Sequence, residues 1–336
     1  MVRRAGLAVV ALLLLLATGC GDEGDVKATD SPAWRTSTDP VVTSGLAWAA
    51  GSTVHLSDGT TIDTGGFVRS FVVAGDGAFF VPAESEEDAG STTLTVDELR
   101  FATPGKPATG TGLQVSPQFV AGSPDGRYLA AIDTTTGEKD RFDTPQASVV
   151  AFDLKTGKQV IDSTLGMGDP DEDDLADAYS EAEMEILSMT DTSLYVRALG
   201  EFVFDLATGE GRELEEGERP QAADLHSSPN GEWRIEGADE GRIRIVGADG
   251  AEVTPVTEGP RWNLSWWADD RTAVGTYITG PNTGIRTQPG DSVALMTCQV
   301  PSGECEVFEE SAGQTVVFPY GATAGNGMVL QGGDES

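Results

Sequence analysis

Two kinds of tight turn alternate along this chain, and that alternation limits its fold more than any other feature. The first kind carries Asp or Asn at its third position. Its copies are Ala74-Gly75-Asp76-Gly77, Ser123-Pro124-Asp125-Gly126, Met189-Thr190-Asp191-Thr192, Ser228-Pro229-Asn230-Gly231, Trp267-Ala268-Asp269-Asp270 and Ala324-Gly325-Asn326-Gly327. Proline presets φ at the second position, and Asp or Asn before glycine tolerates the left-handed geometry a hairpin needs. The second kind falls between copies of the first and is centred on Gly59, Gly105, Gly157, Gly209, Gly250 and Gly303. Successive glycines of this set are 46, 52, 52, 41 and 53 residues apart. Short apolar segments with strand-like alternation separate the turns from Leu46 onward.

Four strands joined by tight hairpins and repeated at this spacing are the signature of a β-propeller. The expected fold is therefore all-β, a six-bladed propeller, with seven blades as the alternative. A two-sheet sandwich would not require twelve turns in strict alternation. The first turn in the chain, at Gly59, is of the second kind, and the last, at Asn326, is of the first. Strands within Leu46–Thr64 and Val316–Leu330 are therefore expected to share one closing blade, removing an open sheet edge. The division could be two strands plus two or one plus three, because Leu46–Ala50 and Met328–Gln331 compete for one position.

The third repeat is the clearest copy. It contains Ser123-Pro124-Asp125-Gly126-Arg127-Tyr128-Leu129-Ala130-Ala131 and then Val149-Val150-Ala151-Phe152-Asp153-Leu154-Lys155-Thr156-Gly157-Lys158-Gln159-Val160. These segments resemble the WD40-like (PD40) repeats of the TolB-type propeller family. The resemblance implies a propeller fold; propellers of this type serve many functions.

The N-terminus reads as an address. Arg3 and Arg4 precede an apolar run from Ala5 to Ala17, too short to span a bilayer, which needs about 20 residues. Ala17-Thr18-Gly19-Cys20 follows and resembles a bacterial lipobox, in which the cysteine is acylated and becomes the mature N-terminus. The alternative is an ordinary signal peptide cleaved near Gly19. The expected organisation is a signal peptide at 1–19, acylated Cys20 with a flexible acidic tether to residue 44, a propeller at 45–331 and a tail at 332–336. Acyl chains would hold the protein on the outer surface of a cell membrane.

Charge narrows the partners. The chain holds 55 Asp and Glu against 21 Lys and Arg, a formal charge of −34. Loss of Arg3 and Arg4 gives 19 − 55 = −36 for the mature chain. Such a chain is repelled by phosphate backbones, which argues against nucleic-acid binding.

In an up-and-down blade both kinds of tight turn lie at one end. The insertions Glu84–Thr93, Thr134–Ala147, Gly166–Glu183 and Gly280–Asp291 then all belong to the opposite end, where a rigid scaffold would present functional loops. That face is acidic. Glu86, Glu87 and Asp88 lie in the first insertion, and Asp169, Asp171, Glu172, Asp173 and Asp174 in the third. Asp169 is expected to cap a helix starting at Pro170, with Leu175, Tyr179, Ala182 and Ile186 at helical spacing. These carboxylates are a solvated surface, a landing site for an envelope or secreted partner with a basic surface, or a calcium site. They lack the ligand order of an EF-hand loop.

The remaining signals are thinner. Cys298 and Cys305 flank the Gly303 turn and are expected to form a structural disulfide. In Arg261-Trp262-Asn263-Leu264-Ser265-Trp266-Trp267, alternation places Trp262, Leu264 and Trp266 on one face and Trp267 on the other, as core rather than as a sugar-stacking platform. His55 and His226 are the only histidines, and neither Gly-x-Ser-x-Gly nor His-Glu-x-x-His occurs. No catalytic residue and no required cofactor are assigned. The leading expectation is a binding module using the long-loop face. The alternative is a propeller hydrolase or lyase using funnel carboxylates, with or without calcium.

Overall fold

The computed structural model describes residues 33–91, 95–215, 217–218, 220, 224–237, 243–283, 287–321 and the strand course of 327–329. The fold is all-β. Five sheets are formed from consecutive strands, each antiparallel to the next. Sheet 2 contains β4 (Val68–Ala74), β5 (Gly77–Pro82), β6 (Asp97–Ala102) and β7 (Thr109–Val115). Sheet 3 contains β8 (Val120–Gly122), β9 (Tyr128–Asp133), β10 (Ser148–Asp153) and β11 (Lys158–Ser163). Sheet 4 contains β12 (Glu185–Met189), β13 (Ser193–Ala198), β14 (Gly200–Asp205) and β15 (Gly211–Glu213). Sheet 5 contains β16 (Trp233–Glu236), β17 (Arg244–Gly247) and β18 (Glu252–Val253). Sheet 6 contains β19 (Trp262–Trp267), β20 (Thr272–Thr279), β21 (Ser292–Gln299) and β22 (Cys305–Phe308).

Sheet 1 joins the two ends of the chain. It contains β1 (Trp48–Ala50), β2 (Thr53–His55) and β3 (Thr61–Asp63) with β23 (Thr315–Val317) and β24 (Gly327–Val329). Its order is β24-β23-β1-β2-β3, with Ala49 opposite Val317. The division is three strands plus two, which neither sequence alternative allowed. The segments expected to compete do not, because β23 has two edges and β1 and β24 take one each.

All six glycines of the second turn set lie at hairpin positions with φ between 72° and 85°, where a side chain would be strained. The first set holds at all five described positions; Ala324–Asn326 lies outside the described residues. The first strands of neighbouring sheets also approach one another. Tyr320, just beyond β23, donates its N–H to Phe71 O of β4 at 2.9 Å. Gln118, before β8, reaches Met184 O, before β12, at 3.2 Å. Trp266 of β19 meets Phe318, just beyond β23, edge-on at 5.2 Å, so sheet 6 contacts sheet 1.

The core runs between the sheets. One cluster spans sheets 2, 3 and 4 through Phe79, Leu129, Phe152, Leu194 and Phe204. Trp266 belongs to a cluster with Trp48 and Phe318, whereas Trp262, Leu264 and Trp267 belong to another with Ile245 and Met296. The expected face assignment of Trp266 and Trp267 is thus reversed. The β19–β20 register shifts between Leu264 and Trp266, and one extra residue moves every later side chain to the other face.

The docked chain begins well before residue 45. Ala33–Arg35 forms a 3-10 turn and Trp34 is buried. Its ring meets Phe152 at 5.0 Å and Phe79 at 5.9 Å, both edge-on. Residues 33–44 are therefore not the free tether the polar sequence suggested. Trp34 and the partly buried Val41 supply the apolar surface, and turn acceptors on the body satisfy the backbone.

Candidate binding face

The tight turns gather at one end of the sheets and the long connections at the other, because each sheet alternates strand direction. At the tight-turn end the turns bond to one another and to the N-terminal strap, residues 33–45. Gly75 N–H donates to Gly126 O at 2.8 Å, and Asn230 N–H donates to Asp270 Oδ1 at 2.9 Å. Asp76 accepts from the Ser37 hydroxyl at 2.5 Å and from the N–H groups of Thr38 and Asp39 at 2.8 Å. Burial alone would raise the Asp76 carboxyl; these donors outweigh it and hold the carboxyl below its ordinary value.

At the long-connection end, the second and third insertions are built as one unit. Asp140 accepts from Phe142 N–H at 2.8 Å, Thr144 N–H at 2.9 Å and Leu175 N–H at 2.9 Å. Burial pushes its carboxyl up, but the three N–H donors outweigh that and lower it. Gln146 donates to Gly168 O at 2.5 Å, and Ala147 N–H donates to the Tyr179 hydroxyl at 2.8 Å. Tyr179 in turn donates to Met167 O at 2.8 Å. Asp140 was missed in the sequence, where one aspartate among many in an acidic loop carries no distinguishing signal.

The helix of this unit is shorter than expected. It is α1, Leu175–Ala182, capped by Asp174, which accepts from Asp177 N–H at 3.3 Å. Asp169 does not cap it. Instead Asp169 accepts from Asp171 N–H at 2.9 Å and donates its own N–H to Asp173 Oδ2 at 2.7 Å, forming a separate turn. Leu175, Tyr179 and Ala182 face the core, while Ile186 belongs to β12.

The two acidic groups sit in different places. Glu86 accepts from Thr315 N–H of sheet 1 at 3.3 Å, and Asp88 lies 3.9 Å from Arg69. Glu87 is exposed. Asp169, Asp171, Glu172, Asp173 and Asp174 all belong to the stretch leading into α1, between sheets 3 and 4. Among the described residues no group of three or more His, Cys, Asp or Glu is placed to hold a metal ion.

Two buried arginines pin two of the other connections. Arg261, immediately before β19, bonds Asp291, immediately before β21, through both carboxylate oxygens at 2.8 and 2.6 Å. The guanidinium holds the Asp291 carboxyl far below the carboxylate range. Arg69, in β4, stands at the equivalent place and contacts Asp97, the first residue of β6, at 3.3 Å. Each arginine fastens the connection from its sheet's second strand to its third.

An open cleft of about 620 Å³ lies between α1 and the first strands of sheets 3 and 4. Gln118, Phe119, Tyr179, Met184, Glu183, Glu185 and Arg197 line it. Arg197 is paired with Glu185 at 2.5 Å and Glu201 at 3.5 Å. Tyr320 is pushed up to about 12 by burial and by the negative Glu185. Among the described residues the exposed large apolar side chains are Val42, Val96, Phe142, Leu165, Leu199 and Val256. Val96, Phe142 and Leu165 lie in the long connections, and Leu199 is the one-residue turn between β13 and β14, its N–H donating to Gly166 O of the third insertion at 2.9 Å. Cys298 and Cys305 stand directly opposite each other on β21 and β22 and are disulfide-bonded.

No protein-family model matches the chain, and no curated protein matches it. Among solved structures it is similar to a protein provisionally assigned as TolB from Agrobacterium tumefaciens. The two are 13% identical over 85% of this chain and 84% of that one, with a TM-score of 0.27.

Proposed function

We propose that the chain is a six-bladed β-propeller, held on the outer surface of a cell membrane through acylated Cys20, that binds a protein partner with a basic surface. The observation that carries this reading is the segregation of short and long connections to opposite ends of the sheets. One end is trimmed to turns that bond to each other. The other carries insertions that are locked together by Asp140 and Tyr179 and fastened by Arg69 and Arg261. Rigid loops bind with less ordering cost than mobile ones. Phe142, 56% exposed, and Leu199 supply apolar anchors of the kind that dominate interfaces, and the carboxylates of 169–174, in the insertion that Asp140 ties to the loop of Phe142, add the charge that steers a basic partner.

Photo-crosslinking from single positions tests this in cells. A crosslinker at Phe142 or Leu199 is expected to capture one discrete partner, and one at Ala207, on the tight-turn end, is not. Glu172→Gln with Asp173→Asn should weaken that capture, increasingly so at low salt. Equal capture from both ends, or capture from Ala207 alone, rejects the reading.

A further inference from the structure

The C-terminal turn of α1 lines the open cleft between sheets 3 and 4, and the charge it brings there is negative. A helix C-terminus carries a partial negative charge that a basic side chain ordinarily balances. The last turn of α1 contains no basic residue. The chain leaves the helix at Glu183 with φ 51°, a left-handed conformation that glycine or asparagine usually takes at a helix end. Glu183 is exposed at the cleft, and among the described residues its carboxylate has no hydrogen-bond or ion-pair partner.

The strands supply one cation to the cleft, and its charge is already shared. Arg197 of β13 stands opposite Glu185 on β12 and Glu201 on β14. Its guanidinium pairs with both, at 2.5 and 3.5 Å. This row of two carboxylates and one guanidinium keeps a net negative charge. Phe119 and Met184, both buried, give the cleft an apolar lining. Gln118 donates its amide N–H to Met184 O at 3.2 Å, which leaves its amide oxygen as a further acceptor. The cleft volume of about 620 Å³ falls within the usual range of ligand pockets, about 300–1,000 Å³.

We propose that this cleft receives an arginine side chain of the basic partner. The proposal rests on the reading of the long-connection face as a protein-binding surface. A guanidinium presents a planar fork of N–H donors, which matches a site rich in carboxylate and amide oxygens. Its flat face and methylene stem suit Phe119 and Met184. The negative end of α1 adds attraction of the same sign. An anionic group is disfavoured, because Arg197 is already neutralised and Glu183 repels it.

The test uses the full chain in detergent, with its methionine methyl groups isotopically labelled. The probe is N-acetyl-arginine amide, and its neutral isostere N-acetyl-citrulline amide is the control. The arginine probe is expected to shift the Met184 methyl resonance saturably, and the citrulline probe is not. Glu183→Asn keeps a residue suited to the left-handed turn, so the fold is retained, and it should weaken the arginine probe about threefold. Arg197→Met should bind the probe more tightly, because Glu185 and Glu201 then lose their shared cation. No saturable shift, equal binding of citrulline, or loss of binding in Arg197→Met overturns the proposal; the last would make Arg197 itself the recognition group. Crosslinking from Phe142 separates this proposal from the partner reading. Partner capture unchanged by Glu183→Asn rejects the arginine contact and leaves the protein-binding face standing. Probe binding at Met184 with no captured partner rejects the protein-binding face, and with it the partner as the source of the arginine, while the guanidinium site stands.

Discussion

The backbone N–H of Asp125 donates to Oδ1 of Asp191, 2.9 Å away. Asp125 belongs to the first turn of sheet 3 and Asp191 to the first turn of sheet 4, so one residue of a repeated turn is held by its counterpart in the next sheet. Within its own turn Asp125 accepts from the Ser123 hydroxyl at 2.6 Å and from Arg127 N–H at 3.0 Å. The repeated acidic position thus serves two purposes: it shapes a hairpin and it joins one sheet to the next.

Removing that joint should be measurable. Asp191→Ala is expected to cost about 1 kcal/mol, the usual net value of one such hydrogen bond. Asp191→Asn keeps a carbonyl oxygen as acceptor and should cost less. Urea unfolding with an unchanged slope checks both.

Trp34→Ala tests whether the strap is a separable layer. Deleting a buried tryptophan from a core costs about 3–5 kcal/mol. The strap can lift off without unfolding the body, so the loss is capped by the strap's own docking free energy. Hydrogen exchange should show lost protection at Thr38, Asp39 and Val41, while Val149–Phe152 keeps its protection. Loss of protection throughout would show that the strap and body fold as one unit.

The strap should also respond to acid. The folded Asp76 carboxyl is lowered from its ordinary 3.8, so its contribution is fully present above that value and is lost as pH falls through the lower folded value. Exchange at Thr38 and Asp39, corrected for intrinsic rates, should accelerate below about pH 4. Asp76→Asn should show weak protection at neutral pH and little further change.

The disulfide closes a short hairpin. On the chain-entropy model, replacing Cys298 and Cys305 by serine should cost about 2.5 kcal/mol. Thermal unfolding with and without reductant checks this: the wild type in reductant should approach the double variant, whose midpoint should not depend on reductant.

Much of the candidate face was legible because loop length is a property of the sequence. Once the two turn sets were placed at one end, the four insertions had to fall at the other. Their internal arrangement was not legible. Asp140 reaches Leu175 N–H across 35 residues, and Arg261 reaches Asp291 across 30. No local pattern distinguishes those aspartates from their solvated neighbours. The long connection from Leu214 to Glu232, between sheets 4 and 5, also escaped notice because its composition is that of any polar loop. Asp169 looked like a helix cap because Pro170 follows it; the structure assigns that role to Asp174, whose side chain accepts from Asp177 N–H in the first turn of α1.

Taken alone, the sequence determined the turns, and through them the strand order within five sheets. Turn chemistry is local: glycine with positive φ, Asp or Asn before it and proline at the second position act over four residues and need no distant partner. What only the tertiary structure decided are the contacts that local chemistry cannot choose. These are the three-plus-two strands of sheet 1, the bulge that exchanges Trp266 and Trp267, and the docking of Trp34 between Phe79 and Phe152. Each depends on which of several sterically allowed neighbours buries more apolar surface, and that is settled only when the sheets pack.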